Sequence, residues 1–270
     1  MRQLILALQF LTVFPLKVRG DVSEEEMGRS AVFFPLVGAF QGLLAIALAY
    51  LSAKYLGEEI APAMVLLALA ASNGGLHLDG LADTTDAMAV KSTGYESSDI
   101  ARRLAVMKDS SAGPTGVIAV VFDILLKFLL LKMLFSGLGR TAFYCLLLLM
   151  AVYSKWAMVP PMYYGRPARK DGLGRIFILN VPPGVLLLST LLTVMLSVVA
   201  YSFWFGHSYS MHKIVLLPAL LCGLYLFGWA SAKCSETRFG GLTGDIFGAI
   251  SEVSEILVLL GVSAWLRRFI

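Results

Sequence analysis

The sequence predicts an all-α integral membrane protein, a polytopic bundle of about seven transmembrane helices with one further helix at its N-terminus. Hydrophobic residues make up 58% of the 270 residues and charged residues only 15%, whereas soluble domains carry about 25% charged residues. The mean hydropathy is +0.77. These values exclude a soluble globular enzyme, a disordered chain and a secreted disulfide scaffold. The three cysteines have no metal-ligand spacing, so we expect neither a disulfide nor a zinc site.

Long apolar runs predict the individual spans, because a helix needs about 20 apolar residues to cross the hydrocarbon core. No internal repeat or change of composition divides the chain, so we expect one catalytic domain over residues 1–270. The predicted spans are 31–51, 60–80, 114–135, 141–160, 182–205, 214–232 and 243–266.

The first sixteen residues predict a short helix that stays with the protein. Leu4, Ile5, Leu8 and Leu11 follow helical spacing, but the run is too short to cross the bilayer. It lacks a small-residue cleavage site and an acidic run follows it, which argues against a signal peptide. We therefore expect an interfacial or re-entrant helix.

The basic residues predict the orientation of the bundle. Fourteen Lys and Arg residues lie before span one or in the loops that follow spans two, four and six, whereas five lie on the opposite side. Basic loops remain in the cytoplasm. We expect a cell-membrane protein of the inner, cytoplasmic membrane with a cytoplasmic N-terminus.

The segment HLDGLADTTDA, at the end of span two, predicts a metal site. On a helix, Asp79, Asp83 and Asp86 lie within about 60° of one another, and three carboxylates on one face repel unless a cation lies among them. Mg²⁺ prefers such oxygen ligands. The alternative is a solvated acidic turn. His77 points away from this face, which favours a structural or substrate-contacting role.

A second acidic segment, GGLTGDIFGAISEVSE, opens span seven. Asp245 and Glu252 share a helical face, and Glu252 and Glu255 reach toward the middle of the bilayer. An unpaired carboxylate there would be protonated or expelled. The preceding glycines, including Gly241 and Gly244, allow backbone N–H groups to approach an anion at a helix N-terminus. The same glycines would also permit close helix packing.

Two loops on the same predicted side carry candidate substrate contacts. Lys108, Asp109 and Ser110 precede span three. The lysine either binds a phosphate group of the substrate or is simply solvated. Arg166 and Arg169 lie in a basic loop that either binds substrate or only sets the topology.

Inside span three, Asp123 and Lys127 are four residues apart and are expected to neutralise each other. The acidic segments and the phosphate-compatible loops together indicate transfer of a phosphate-linked group at a Mg²⁺ site, without identifying the substrate.

The segments GGLHLDGLADTTDA, RRLAVMKDSSAGPTG and GGLTGDIFGAISEVSEILVLL resemble, in this order, the motifs of the cobalamin synthase family, the adenosylcobinamide-GDP ribazoletransferases. FLTVFP, FFPLVGAFQG and RPARKDGLG are similar to further family segments, so the resemblance covers residues 10 to about 260. Val13 stands where the family pattern leads us to expect Arg, which puts an anion contact there in doubt.

The resemblance implies a Mg²⁺-dependent membrane enzyme of the last steps of cobalamin assembly. It would transfer the adenosylcobinamide phosphate group from adenosylcobinamide-GDP to α-ribazole or α-ribazole 5′-phosphate and release GMP. We expect catalytic roles for Asp83, Asp86, Lys108 and Asp109, substrate contacts from His77, Lys108, Ser110, Arg166, Arg169, Gly241, Thr243 and Gly244, and Mg²⁺ binding by Asp79, Asp83, Asp86, Asp245 and Glu252.

The expected partners are these substrates and the lipid bilayer, without nucleic acid; a homo-oligomer or association with other late corrinoid enzymes stays open. One alternative is a CDP-alcohol phosphotransferase of lipid synthesis, but no Asp lies three residues before Asp79 and no Ala-Arg pair follows. The other is an ion-coupled transporter with Asp123, Glu252 and Glu255 as relay groups, which would favour related halves with broken helices; no internal repeat is seen.

A single site requires the two acidic segments to meet. We expect spans two and seven to pack together at Gly80 and Gly248, with the carboxylates of Asp83 and Asp245 within about 10 Å, the reach of bridging metal ions and their ligands.

Overall fold

The computed structural model describes residues 1–18, 20–109, 111–205 and 211–269. These ranges are almost entirely helical, which confirms the all-α class, and their only bridge is an isolated parallel one between Pro167 and Leu242. The helices are α1 Arg2–Leu11, α2 Glu24–Arg29, α3 Phe34–Tyr55, α4 Ala61–Asn73, α5 Leu76–Met88, α6 Glu96–Val106, α7 Pro114–Gly137, α8 Arg140–Trp156, α9 Val159–Tyr164, α10 Leu173–Asn180, α11 Pro183–Phe205, α12 Met211–Phe239 and α13 Gly244–Phe269.

The number of spans is smaller than expected. Within the described ranges, five segments are long and apolar enough to cross a membrane, and a sixth crossing is counted if α4 and α5 form one broken span. α7 has 24 residues and carries three ionisable side chains; it is not among the five. The five are Glu24–Tyr55, Arg140–Tyr164, Pro183–Trp204, Val215–Phe239 and Gly244–Arg268.

The predicted second span, residues 60–80, is not one continuous helix. α4 ends at Asn73, and Gly74 and Gly75 follow with φ of +66° and +77°, a left-handed conformation that glycine adopts without steric cost. The Asn73 side chain accepts a hydrogen bond from the Gly75 N–H at 2.9 Å. α5 then leaves at 87° to α4, so the three aspartates lie on a separate helix.

α7 exposes apolar side chains and buries charged ones, the reverse of a helix on the surface of a soluble protein. Val117, Val121 and Phe122 are exposed, whereas Asp123 and Lys127 are buried inside the bundle. Since water favours the opposite arrangement, this pattern indicates a surface that faces acyl chains.

The bundle is centred on α8 and α13. In an apolar stretch of 18 residues, 83% of the residues are buried in the segment that contains α8 and 72% in α13. The corresponding share is 28% in both α11 and α12. α11 and α12 are therefore peripheral. α3 lies against α8 at Gly38, where a Cβ would come within 2.4 Å of the Ala151 carbonyl oxygen.

α5 packs directly against α13, as expected from the two acidic segments. A Cβ at Gly80 would lie 2.5 Å from the backbone oxygen of Asp245, and one at Gly248 would lie 3.1 Å from Cα of His77. Both glycines therefore set the spacing of the two helices, which confirms their predicted role.

This contact predicts that Gly80→Ala lowers the stability of the protein by about 1–3 kcal/mol, because the added methyl group meets backbone that cannot move aside. Gly223→Ala in α12 is the matched control, since a Cβ there meets nothing within 4 Å. Both changes gain helix propensity, so their difference in melting temperature in detergent isolates the clash. Equal melting temperatures would show that α5 and α13 are not held at this spacing.

Candidate active site

The acidic helix α5 presents its three aspartates at different depths. Asp79 is exposed, and Asp83 and Asp86 are half-buried. Asp79 lines an open cleft of about 640 Å³ together with Thr12 and Val13, at the break between α4 and α5. The charges of Asp79, Asp245 and Asp86 all act on the Asp83 carboxylate. The structure therefore brings both acidic segments to one place.

Asp86 holds the start of α7. Its Oδ2 accepts a hydrogen bond from the Gly113 N–H at 2.7 Å, and its Oδ1 accepts one from the Gly116 N–H at 2.8 Å. A Cβ at Gly113 would approach Asp86 Oδ1 to 2.5 Å, and one at Gly116 would approach Oδ2 to 2.4 Å. Asp86 thus satisfies helix N–H groups that lack partners within α7 and fixes the loop that follows Lys108. Its metal-binding role stays a prediction.

The N-terminus of α13 supplies the second acidic group. The Thr243 hydroxyl donates to Asp245 Oδ2 at 3.2 Å and accepts from the Ile246 N–H at 3.4 Å. Arg169 Nη1 lies 3.5 Å from Asp245 Oδ2. Of the predicted substrate contacts, Thr243, Gly244 and Arg169 therefore meet around Asp245.

Arg166 and Gly241 belong to a backbone contact that supports this end of α13. The Leu242 N–H donates to the Arg166 carbonyl at 2.7 Å, and the Ala168 N–H donates to the Leu242 carbonyl at 2.9 Å. A Cβ at Gly241 would lie 2.4 Å from the Arg166 carbonyl oxygen. The exposed Arg166 side chain pairs with Glu236 at 3.5 Å. Substrate contacts at these two positions stay predictions.

Lys108 and Asp109 are exposed after α6, whereas Ser110 lies outside the described residues. The hydroxyl and backbone N–H of Ser111 both donate to Asp109, which lowers the pKa of that carboxyl. A carboxylate with a lowered pKa accepts a proton less readily. Asp83 is consequently the better candidate for a base.

In the part of the chain that the structure describes, no group of three or more His, Cys, Asp or Glu side chains is arranged to hold a metal ion. Mg²⁺ commonly binds through one or two carboxylates and completes its shell with substrate phosphates and water. Two of the carboxylates that act on Asp83, those of Asp79 and Asp245, fit this mode of binding, with phosphate and water as the other ligands. Mg²⁺ binding by the acids of α5 and α13 stays a prediction.

The profile of the cobalamin-5-phosphate synthase family matches residues 3–263. The chain belongs to this family. It is 35% identical to the adenosylcobinamide-GDP ribazoletransferase of Thermodesulfovibrio yellowstonii over 97% of each chain and 34% identical to that of Geotalea daltonii over 100% of each. It is 36% identical to that of Pseudomonas syringae pv. syringae over 94% of this chain and 96% of the relative. No solved structure matches significantly.

The family membership disfavours both alternatives, the CDP-alcohol phosphotransferase and the ion-coupled transporter. The ionisable groups inside the bundle that suggested a transporter have local partners instead. Lys127 lies 2.9 Å from Asp123 Oδ2, 2.9 Å from Glu255 Oε2, and is also paired with Glu252. The expected neutralisation of Asp123 by Lys127 is confirmed, and two glutamates join it.

A second buried lysine completes this ionic cluster. Lys155 Nζ lies 3.6 Å from Glu255 Oε1 and donates to the Ser251 hydroxyl at 2.9 Å. We define the buried ionic cluster as Asp123, Lys127, Lys155, Glu252 and Glu255. It ties α7 and α8 to α13. The carboxylate of Glu252 is paired with Lys127 in this cluster. Its metal-binding role stays a prediction.

His77 lies between the cluster and the acidic groups. It is 2% exposed, with Nδ1 3.2 Å from the Asn73 amide nitrogen and 4.0 Å from Glu252 Oε1. Its ring lines a cavity next to Asp245. Sequence reasoning missed Lys155 and the partners of Glu255; the rule that charges inside spans need partners would have pointed to them.

The cluster predicts that Lys127→Met destabilises the protein by about 3–5 kcal/mol, because it leaves buried carboxylates without their cation. Lys132→Met is the control on the same helix, since Lys132 is 48% exposed and pairs with the exposed Glu59; it should cost no more than about 1 kcal/mol. Thermal unfolding in detergent compares them. Similar losses for the two variants would contradict the structural role of the cluster.

Proposed function

We propose that this protein transfers the adenosylcobinamide phosphate group from adenosylcobinamide-GDP to α-ribazole or its 5′-phosphate, with release of GMP. Adenosylcobalamin or its 5′-phosphate is the product. The full-length similarity to ribazoletransferases supports this activity. The observation that carries it is the meeting of α5 and α13 at Gly80 and Asp245, which gathers carboxylates beside Arg169.

The reaction is a displacement at phosphorus. A ribazole hydroxyl oxygen attacks the phosphorus bonded to cobinamide, and the bond from that phosphorus to the bridging oxygen of GMP breaks. The proton of the hydroxyl passes to a carboxylate. Asp83 suits this step because it is half-buried among other acids, while Asp109 is exposed and holds its proton weakly.

The remaining groups bind and orient. Arg169 and the exposed Lys108 offer positive charge to phosphate oxygens, and Asp86 fixes the loop that carries Lys108. Asp79 and Asp245 would hold Mg²⁺ together with phosphate oxygens of the substrate, which leaves Asp83 to take the proton. When bound, Mg²⁺ neutralises charge on the pyrophosphate and so lowers the cost of displacement.

In this proposal the protein lies in the cell membrane, and its active site faces the cytoplasm. The excess of basic residues in the loops after predicted spans two, four and six supports it, with α7 counted as the third crossing because its apolar surface is exposed. Two of these loops also meet, because Arg103 Nη1 donates to the carbonyl of Arg238 at 3.0 Å. They therefore share one side of the bundle.

Asp83→Asn should fold normally yet reduce GMP release about 100-fold or more, because it removes a charge used in the transition state. Asp21→Asn, on the N-terminal loop, is the control and should retain full turnover. GMP is quantified after incubation of the purified protein with donor, acceptor and Mg²⁺. Turnover near that of the unchanged protein in the Asp83 variant would refute the assignment.

Labelling with an impermeant thiol reagent tests the orientation. One protein keeps Cys234, which is exposed beside the charged Lys233 near the C-terminal end of α12, and a second carries Ser97→Cys, with all other cysteines replaced by Ser. Intact cells should protect both positions, and permeabilised cells should expose them. Labelling of either position from outside intact cells would contradict a cytoplasmic site.

A further inference from the structure

A second, smaller cavity adjoins the acidic groups beside the open cleft. It measures about 260 Å³ and lies between α1, α5, the loop before α10, and the N-terminus of α13. Such a space suits one ring system with a small polar substituent. Most of its wall is apolar, from Phe10, Leu11, Leu76, Met158, Leu173 and Phe247.

Part of the polar lining of the cavity lies around Asp245, where Arg169 and Thr243 also line it. The other polar lining residues are His77, Asp171 and Arg175. Arg169 uses Nη1 for Asp245, but its Nε and Nη2 are buried without a hydrogen-bond partner. Arg175, the other cavity arginine, pairs with Glu24 at 3.2 Å. Because an unpaired buried donor is costly, Arg169 gains hydrogen bonds if its guanidinium turns these donors toward an anionic oxygen in the cavity.

We infer that this cavity is the subsite for the acceptor, with the benzimidazole ring of α-ribazole against the apolar wall and its 5′-phosphate on Arg169. This inference rests on the proposed function. A corrin macrocycle is far too large for the space. A guanine ring needs hydrogen-bonding partners along its edge, whereas the benzimidazole ring has no exocyclic donor or acceptor and fits the apolar wall.

The position of Asp245 joins this subsite to the reaction. Asp245 lines the cavity, and its backbone touches α5 at Gly80, three residues before Asp83 on the acidic helix. An acceptor in the cavity would therefore present its ribose to the edge shared by Asp245 and Asp83, where the donor phosphate enters from the open cleft.

Gly244→Val tests the subsite by filling it. Gly244 lines the cavity, and a Cβ there meets nothing within 4 Å, so the valine side chain starts into open space. The KM for α-ribazole 5′-phosphate should rise at least about tenfold, while the KM for adenosylcobinamide-GDP stays within about twofold. Gly184→Val, in the first turn of α11 with equally open surroundings, is the matched control and should change neither constant.

Arg169→Gln tests the phosphate contact. The ratio of kcat/KM for α-ribazole 5′-phosphate to kcat/KM for α-ribazole should fall at least about tenfold, because only the phosphorylated acceptor uses the guanidinium. A general loss of activity through Asp245 would lower both values and leave their ratio unchanged, which would overturn the phosphate assignment.

Equilibrium binding keeps the inference testable if a variant loses turnover. Benzimidazole fluorescence follows the binding of α-ribazole 5′-phosphate to full-length protein in detergent, and a melting curve shows that each variant is folded. A folded Gly244→Val protein should bind the acceptor at least about tenfold more weakly. Unchanged acceptor binding, or a rise in the donor KM alone, would overturn the subsite. Absence of GMP release from the unchanged protein would instead refute the proposed function.

Discussion

The close contact between α5 and α13 is the constraint on which the site depends. Gly80 lies against the backbone of Asp245, and Gly248 lies against that of His77. No side chain separates the helices at these points, so acids that are about 160 residues apart in sequence act on one another. The break at Gly74 and Gly75 makes this contact possible, because it turns α5 by 87° away from α4.

The buried ionic cluster holds the other side of α13. Two lysines from α7 and α8 meet carboxylates of α7 and α13 deep in the bundle. Burying charged groups costs free energy even when they are paired. Removing one partner destabilises the protein further, because it leaves a buried charge without compensation. The cluster therefore favours a single arrangement of α7, α8 and α13, and α13 in turn presents Asp245 to α5.

The sequence was sufficient to predict the class, the shared face of the aspartates, and the pairing of the two acidic segments. Each followed from short-range geometry or from the cost of charge in lipid. The break in the second span was not predicted because apolar composition alone does not reveal a bend, although the Asn-Gly-Gly run is a typical turn signal. The capping of α7 by Asp86 could not be predicted, since it depends on where Gly113 and Gly116 come to lie.

The two cavities beside the acidic groups differ in a way that matches the two substrates. The open cleft beside Asp79 measures about 640 Å³, whereas the cavity beside Asp245 measures about 260 Å³ and is mostly apolar. A displacement at phosphorus places the attacking and leaving oxygens on opposite sides of the phosphorus atom. If the two substrates approach the acids of α5 and α13 from separate cavities, the attacking oxygen and the leaving oxygen can lie on opposite sides of the phosphorus, and neither substrate blocks the path of the other.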